Sequence, residues 1–252
     1  MTVNVKVLSY VQRLVGRHWL MQQTRARGAS TWVDVHDKKT ELEFSSNGGY
    51  TSWENGEVSQ KGTYTADGQK IFVVAGSVKL TYYINNVSTD EAELAVYNEG
   101  ENMPAYTVRV ARMAETESDA RRMIVGQWRT KHPSIDMDEE YLEFTADGKL
   151  YYIYKVKADA PDDEWYSAYR GQCVGYFNWN YDVEPKADGA DHGIIVNKGR
   201  GDTDSEEDEF RLNRGYSYLT NSSVILSALF SHIQYVRADK KVEYKVIDHP
   251  WE

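Results

Sequence analysis

The residues with most potential for chemistry lie in one aromatic stretch. Tyr176-Phe177-Asn178-Trp179-Asn180-Tyr181-Asp182 alternates in type, so the spacing predicts a strand with Phe177, Trp179 and Tyr181 on one face. Tyr152 and Tyr154 share a face on a neighbouring strand region, with Val156 beyond them and Trp165-Tyr166 following. Inward-facing aromatics in a small barrel either fill it or line a pocket. In the second case the rings offer apolar or sugar-stacking surface, and the phenol hydroxyls orient a ligand.

Other chemistries find weaker support. The six histidines (His18, His36, His132, His192, His232 and His249) include no His-x-His or His-Glu-x-x-His pair, and one cysteine cannot complete a zinc ligand set. No metal site is expected. Cys173 has no neighbouring base in sequence and reads as a small buried hydrophobe. The acidic run from Asp202 to Glu209 offers hard oxygens for calcium. An EF-type loop counted from Asp202 would need Gly at its sixth position and Glu at its twelfth, where Glu207 and Asn213 stand. A solvated charged loop is the favoured reading. Phosphate-binding glycine loops, the dinucleotide fingerprint and the serine-hydrolase elbow are missing, so no cofactor and no catalytic set is expected.

Composition narrows the partners. A formal charge of −10 disfavours nucleic acid and anionic membrane surfaces, which demand surplus Lys and Arg. No apolar run approaches the roughly 18 residues of a membrane span. The first ten residues lack the basic start and apolar centre of a signal peptide, leaving a cytoplasmic protein or a mature segment as alternatives. With 19 Tyr and 7 Trp against only 5 Pro, the chain leans towards sheet.

The elements that would position the aromatics come in two sets. Leu14-Val15-Gly16-Arg17-His18-Trp19 returns as Ile124-Val125-Gly126-Gln127-Trp128, and Leu42-Glu43-Phe44-Ser45-Ser46-Asn47-Gly48 as Leu142-Glu143-Phe144-Thr145-Ala146-Asp147-Gly148. Tyr106-Thr107-Val108-Arg109 is echoed by Gln234-Tyr235-Val236-Arg237. Landmarks in the same order imply a duplicated module, with domains at 1–113 and 114–252. Each copy opens with a short helix, the second capped by Ser118 or Asp119, then a Gly at a helix C-cap and a Trp-bearing strand. Hairpins follow, marked by Asn47-Gly48, Asn55-Gly56 and Asp67-Gly68. Short, regularly spaced strands predict an all-β antiparallel barrel or sandwich in each copy. Copy two adds turn-rich insertions at 159–164 and 185–193. The alternating segments Thr2–Val7 and Lys241–Ile247 pair with each other, or else a terminus pairs with its own barrel.

These landmarks resemble the small lipocalin-like (calycin) domains of Bacteroidetes. The likeness rests on Ile124, Gly126 and Trp128; on Leu142, Phe144, Asp147 and Gly148; on Tyr218-Leu219-Thr220 through Leu226; and on Tyr235 with Arg237. Copy one departs with His18 inserted before Trp19, Asn47 in place of Asp, and a weaker Tyr83–Ser88 stretch. The resemblance implies two tandem lipocalin-like barrels and an extracytoplasmic setting in the cell envelope. In such a barrel an Arg of the last strand lies over the Trp, giving Trp19 with Arg109 (Arg112 as the substitute) and Trp128 with Arg237 as structural pairs. The expected function is non-enzymatic binding of a small apolar or amphipathic molecule by Tyr152, Tyr154, Phe177, Trp179 and Tyr181. A module with filled barrels, meeting a protein partner at loops such as 159–164, is the alternative. An enzyme on a calycin scaffold ranks below both.

Overall fold

The computed structural model describes residues 9–35, 38–162, 164–184, 193–198, 214–228 and 231–248. The segment Thr2–Val7 and the acidic run 202–209 lie outside them. The chain divides into two compact units, Met1–Met113 and Ala114–Glu252. Strand dominates both. Among the described residues, no helix is long and apolar enough to cross a membrane.

The first unit opens with α1 (Tyr10–Leu14), nucleated by a capping box in which Ser9 and Gln12 exchange side chain-to-backbone hydrogen bonds. Nine strands follow: β1 (His18–Ala26), β2 (Val33–Asp34), β3 (Thr40–Phe44), β4 (Gly49–Glu54), β5 (Glu57–Asp67), β6 (Lys70–Ala75), β7 (Val78–Val87), β8 (Glu91–Asn98) and β9 (Tyr106–Arg112). All but β2 pair in sequence order, and β9 returns to β1, closing an eight-stranded antiparallel barrel. The alternation of β6 (Ile71, Val73 and Ala75 in; Lys70, Phe72 and Val74 out) is the expected period of two.

The second unit opens with α2 (Glu117–Ile124). Its N-cap is Thr116, two residues before the earlier of the expected caps, and Glu117 and Asp119 in the first turn complement the helix dipole. Its strands are β10 (Gly126–Thr130), β11 (Met137–Phe144), β12 (Lys149–Val156), β13 (Cys173–Glu184), β14 (Gly193–Asn197), β15 (Arg214–Leu219), β16 (Ser223–Ala228), β17 (Ser231–Arg237) and β18 (Lys245–Val246), with α3 (Glu164–Tyr169) between β12 and β13. They form one sheet in the order β12-β11-β10-β17-β16-β15-β14-β13-β18, and β12 also pairs with β13. β18 runs parallel to β13 of its own unit, so the C-terminal segment takes the second of its two expected arrangements.

The same plug recurs in both units. Trp19 and Trp128 are fully buried, and each indole N–H donates to a carbonyl at the end of the preceding helix: Leu14 at 2.9 Å and Ile124 at 2.6 Å. The Arg237 guanidinium lies 4.2 Å from the Trp128 ring centroid and donates to the carbonyls of Val125, Met123 and Asn221. In the first unit the expected partner is wrong. Arg109 pairs in register with Gln23, four residues along β1 from Trp19, and its guanidinium lies over Trp32 at 4.1 Å. The residue opposite Trp19 is Arg112, as Arg237 is opposite Trp128. Arg112 binds Asp90 through Nε and Nη2.

Gly16 (φ +73°) and Gly126 (φ +130°) make the turn from helix to plugged strand. At Gly16 an added Cβ meets nothing within 4 Å, whereas at Gly126 it falls 2.4 Å from Arg237 Nη1. Gly126→Ala is therefore expected to cost roughly 3 kcal/mol and Gly16→Ala about 1 kcal/mol. Urea denaturation midpoints of the two variants check this ordering.

Candidate functional site

The aromatic residues divide between two faces of β12 and β13 because of a β-bulge. Leu150 pairs with Trp179 but Tyr151 pairs with Phe177, leaving Asn178 as the extra residue. The bulge breaks the strict alternation expected from sequence. Phe177 faces outward with Tyr151 (5.8 Å, edge-on), whose ring also meets Tyr244. Phe177 is thus removed from the inward set, and Tyr176, placed on the opposite face by alternation, enters it. A bulge has no dependable signature in one sequence, so this exchange could not be foreseen.

The inward cluster is Tyr152, Tyr154, Tyr176 and Trp179. Tyr152 meets Tyr176 at 5.8 Å and Trp179 at 6.0 Å, both edge-on, and Tyr154 stacks on Tyr176 at 6.0 Å. These are favourable quadrupole geometries. Tyr176 is buried, while Tyr152, Tyr154 and Trp179 are half-buried although they face inward. Asn178, at the bulge, is buried beside them. Burial, and then the hydrogen-bonded Tyr176, push the Tyr154 phenol far above its usual range. The Tyr154 hydroxyl therefore stays neutral beside an apolar wall.

Tyr181 has a different task. Its hydroxyl donates to the Thr145 carbonyl at 2.8 Å, its N–H to the Gly148 carbonyl, and its ring meets Phe144 edge-on at 5.0 Å. Tyr64 of the first unit makes the same set of contacts with Ser45 (3.0 Å), Gly48 and Phe44 (5.5 Å, edge-on). Tyr181 therefore pins a hairpin.

In the first unit the inner aromatics Phe44, Tyr50 and Tyr82 pack together, with Tyr64 and Tyr106 half-buried against them. Phe44, Tyr50 and Tyr82 are at most 3% exposed, and the Tyr50 and Tyr82 hydroxyls meet at 3.0 Å. Outside, a groove of about 630 Å³ runs along β6–β8 beside the exposed Phe72 and Val74. His18 lies between Glu41 and Glu43 and stacks on Trp53 at 5.0 Å. Cys173 is half-buried, and burial followed by Glu139 pushes its thiol up, away from nucleophilic character. Among the described residues, no group of three His, Cys, Asp or Glu is arranged to hold a metal.

No protein-family model matches this sequence, and no curated protein matches it.

Two expectations follow. Tyr181→Phe and Tyr64→Phe should each cost about 1 kcal/mol, the worth of one hydrogen bond, as read from chemical denaturation. The Tyr141 phenol is pushed up to about 12 by burial and then Glu139; Tyr82, Tyr154, Tyr181 and Tyr244 are also raised, by burial first. A phenol raised in the folded state stabilises it fully below the unfolded value near 10, and this contribution is lost as pH climbs through the folded value. Stability should hold up to about pH 10 and then decline. At about pH 11 denaturant should release a step of tyrosinate absorbance at 295 nm.

Proposed function

We propose that this chain is a non-enzymatic binding protein of two tandem lipocalin-like barrels, the second of which holds a small apolar or amphipathic molecule. The observation that carries this reading is the contrast between the interiors. In the first unit the inward aromatics Phe44, Tyr50 and Tyr82 are sealed, whereas Tyr152, Tyr154 and Trp179 of the second remain half-accessible. Half-accessible rings beside a neutral Tyr154 hydroxyl suit a ligand having one apolar body and one polar group. The barrel reading of the second sheet is supported by its pairing, since every strand from β10 to β17 has two neighbours. The cell-envelope setting rests on the family resemblance.

The filled first barrel and its outer groove favour a second reading for that unit, as an interaction module. Native mass spectrometry of the detergent-free protein separates the two. Ligand binding predicts a small-molecule adduct that falls about tenfold in Trp179→Ala, which removes a stacking contact of up to about 1.5 kcal/mol. The adduct should survive in Tyr151→Ala, which alters the outer face. A bare parent protein, or an adduct indifferent to Trp179→Ala, favours the interaction module.

A further inference from the structure

Outward residues of an antiparallel barrel meet water and are ordinarily polar. On β6 they are Lys70, Phe72 and Val74, with Phe72 40% and Val74 47% exposed. The register arranges them in rows across the sheet. Phe72 pairs with Thr81, and Thr81 pairs with Tyr97. Lys70 pairs with Tyr83 in the next row, and Val74 with Lys79 in the row on the other side.

The middle row builds a slot. Side chains stand roughly perpendicular to a sheet, so the Phe72 and Tyr97 rings flank the short Thr81 side chain. Their strands are two apart, a separation of about 10 Å. A ring in carbon contact with both, at roughly 3.5–4.0 Å on each side, takes up about 7–8 Å. The slot thus admits one ring, and a puckered saturated ring fills it better than a flat one. All three residues line the groove of about 630 Å³, a volume inside the range of small-ligand sites, about 300–1,000 Å³.

Hydrogen bonds hold the ends and the rim. Lys79 Nζ donates to Glu99 Oε1 at 2.7 Å at one end, and the Tyr83 hydroxyl donates to Gln69 Oε1 at 2.7 Å at the other. The rim after β8 is tied to Arg27, which binds the Glu101 carboxylate at 2.5 Å and the carbonyls of Met103 and Pro104. Asn98 also donates to Glu101. A rim already held loses little freedom on binding.

The chemistry of the groove selects its ligand. Lys79 faces Glu99, Arg27 faces Glu101, and Lys70 stands opposite Asp67 in register, so the charges balance. A nucleotide would bring phosphate to a chain of formal charge −10. An alkyl chain would stay wetted on the open outer side. A pyranose offers apolar C–H faces to two rings and hydroxyls to the amide, carboxylate and threonine groups around them. We infer that this groove binds a neutral carbohydrate, with one pyranose between Phe72 and Tyr97 above Thr81. The site lies wholly within the first unit and is independent of ligand binding by the second.

The test applies the full chain to an array of immobilised neutral and anionic oligosaccharides. Binding to at least one neutral glycan is expected, weakened about tenfold by Phe72→Ala or by Tyr97→Ala. Thr81→Tyr, which fills the slot while keeping both rings, should abolish it, and Val58→Ala, at an exposed valine outside the groove, should leave it unchanged. Circular dichroism of each variant should match the parent, since the substituted side chains face outward. Failure to bind any neutral glycan, binding of anionic glycans alone, or binding that survives Thr81→Tyr would each overturn the proposal. Binding lost in Trp179→Ala but kept in Thr81→Tyr would place the sugar in the second unit and overturn it as well.

Discussion

Each unit is organised around one hydrogen bond, from a fully buried indole N–H to a carbonyl that ends a short helix. An indole placed at the core would leave an unmet donor, and a helix ending there would leave unmet acceptors. Each defect costs about 1–3 kcal/mol when buried, and the single bond removes one of each kind. The bond also fixes the helix over the end of the sheet. It demands a glycine at the turn between helix and strand, where Gly16 and Gly126 both take positive φ. In the second unit it places the freed carbonyls of Met123 and Val125 within reach of Arg237, which spans them while lying on the indole face.

With that end held, the opposite end of the strands can vary. Tyr50 is matched by Leu150, Ser52 by Tyr152 and Glu54 by Tyr154, counting along the strand that follows each Gly-bearing hairpin. The second unit thereby moves its aromatic surface towards the far end, where Tyr176 lies opposite Tyr152, while Trp179 reaches Tyr152 from beside Leu150. The Tyr64 and Tyr181 hairpin pins mark how far the two units keep the same chemistry. Beyond those pins the first unit carries Ser52 and Glu54 where the second carries the half-buried rings of Tyr152 and Tyr154.

What could be read from sequence was what is locally encoded. Gly16 and Gly126, the turn glycines and the two buried tryptophans announce themselves by residue type, so the hairpins and the unit boundary near Met113 were visible. The Arg echo was misaligned by three residues: the match of Tyr106–Arg109 to Gln234–Arg237 hid the true register, in which Arg112 faces Trp19. Register between distant strands is set by packing and by bulges such as the one between Met21 and Gln23, which local spacing does not reveal. The bulge at Asn178 had a larger effect. It exchanged Phe177 for Tyr176 in the inward set while leaving Tyr152, Tyr154 and Trp179 in place. Tyr181 was legible as inward-facing, but its hydroxyl partner, a backbone carbonyl 36 residues away, was not.

Binding by the second unit requires open space against its aromatic wall, space that the packed rings of Phe44, Tyr50 and Tyr82 do not leave in the first. Xenon enters apolar space without needing any particular ligand chemistry. Aromatic-ring NMR of the protein under xenon pressure should shift the resonances of Tyr152, Tyr154 and Trp179 and leave those of Phe44, Tyr50 and Tyr82 unmoved. Shifts confined to the first unit, or absent from both, would rule out a ligand space at the aromatic wall of the second.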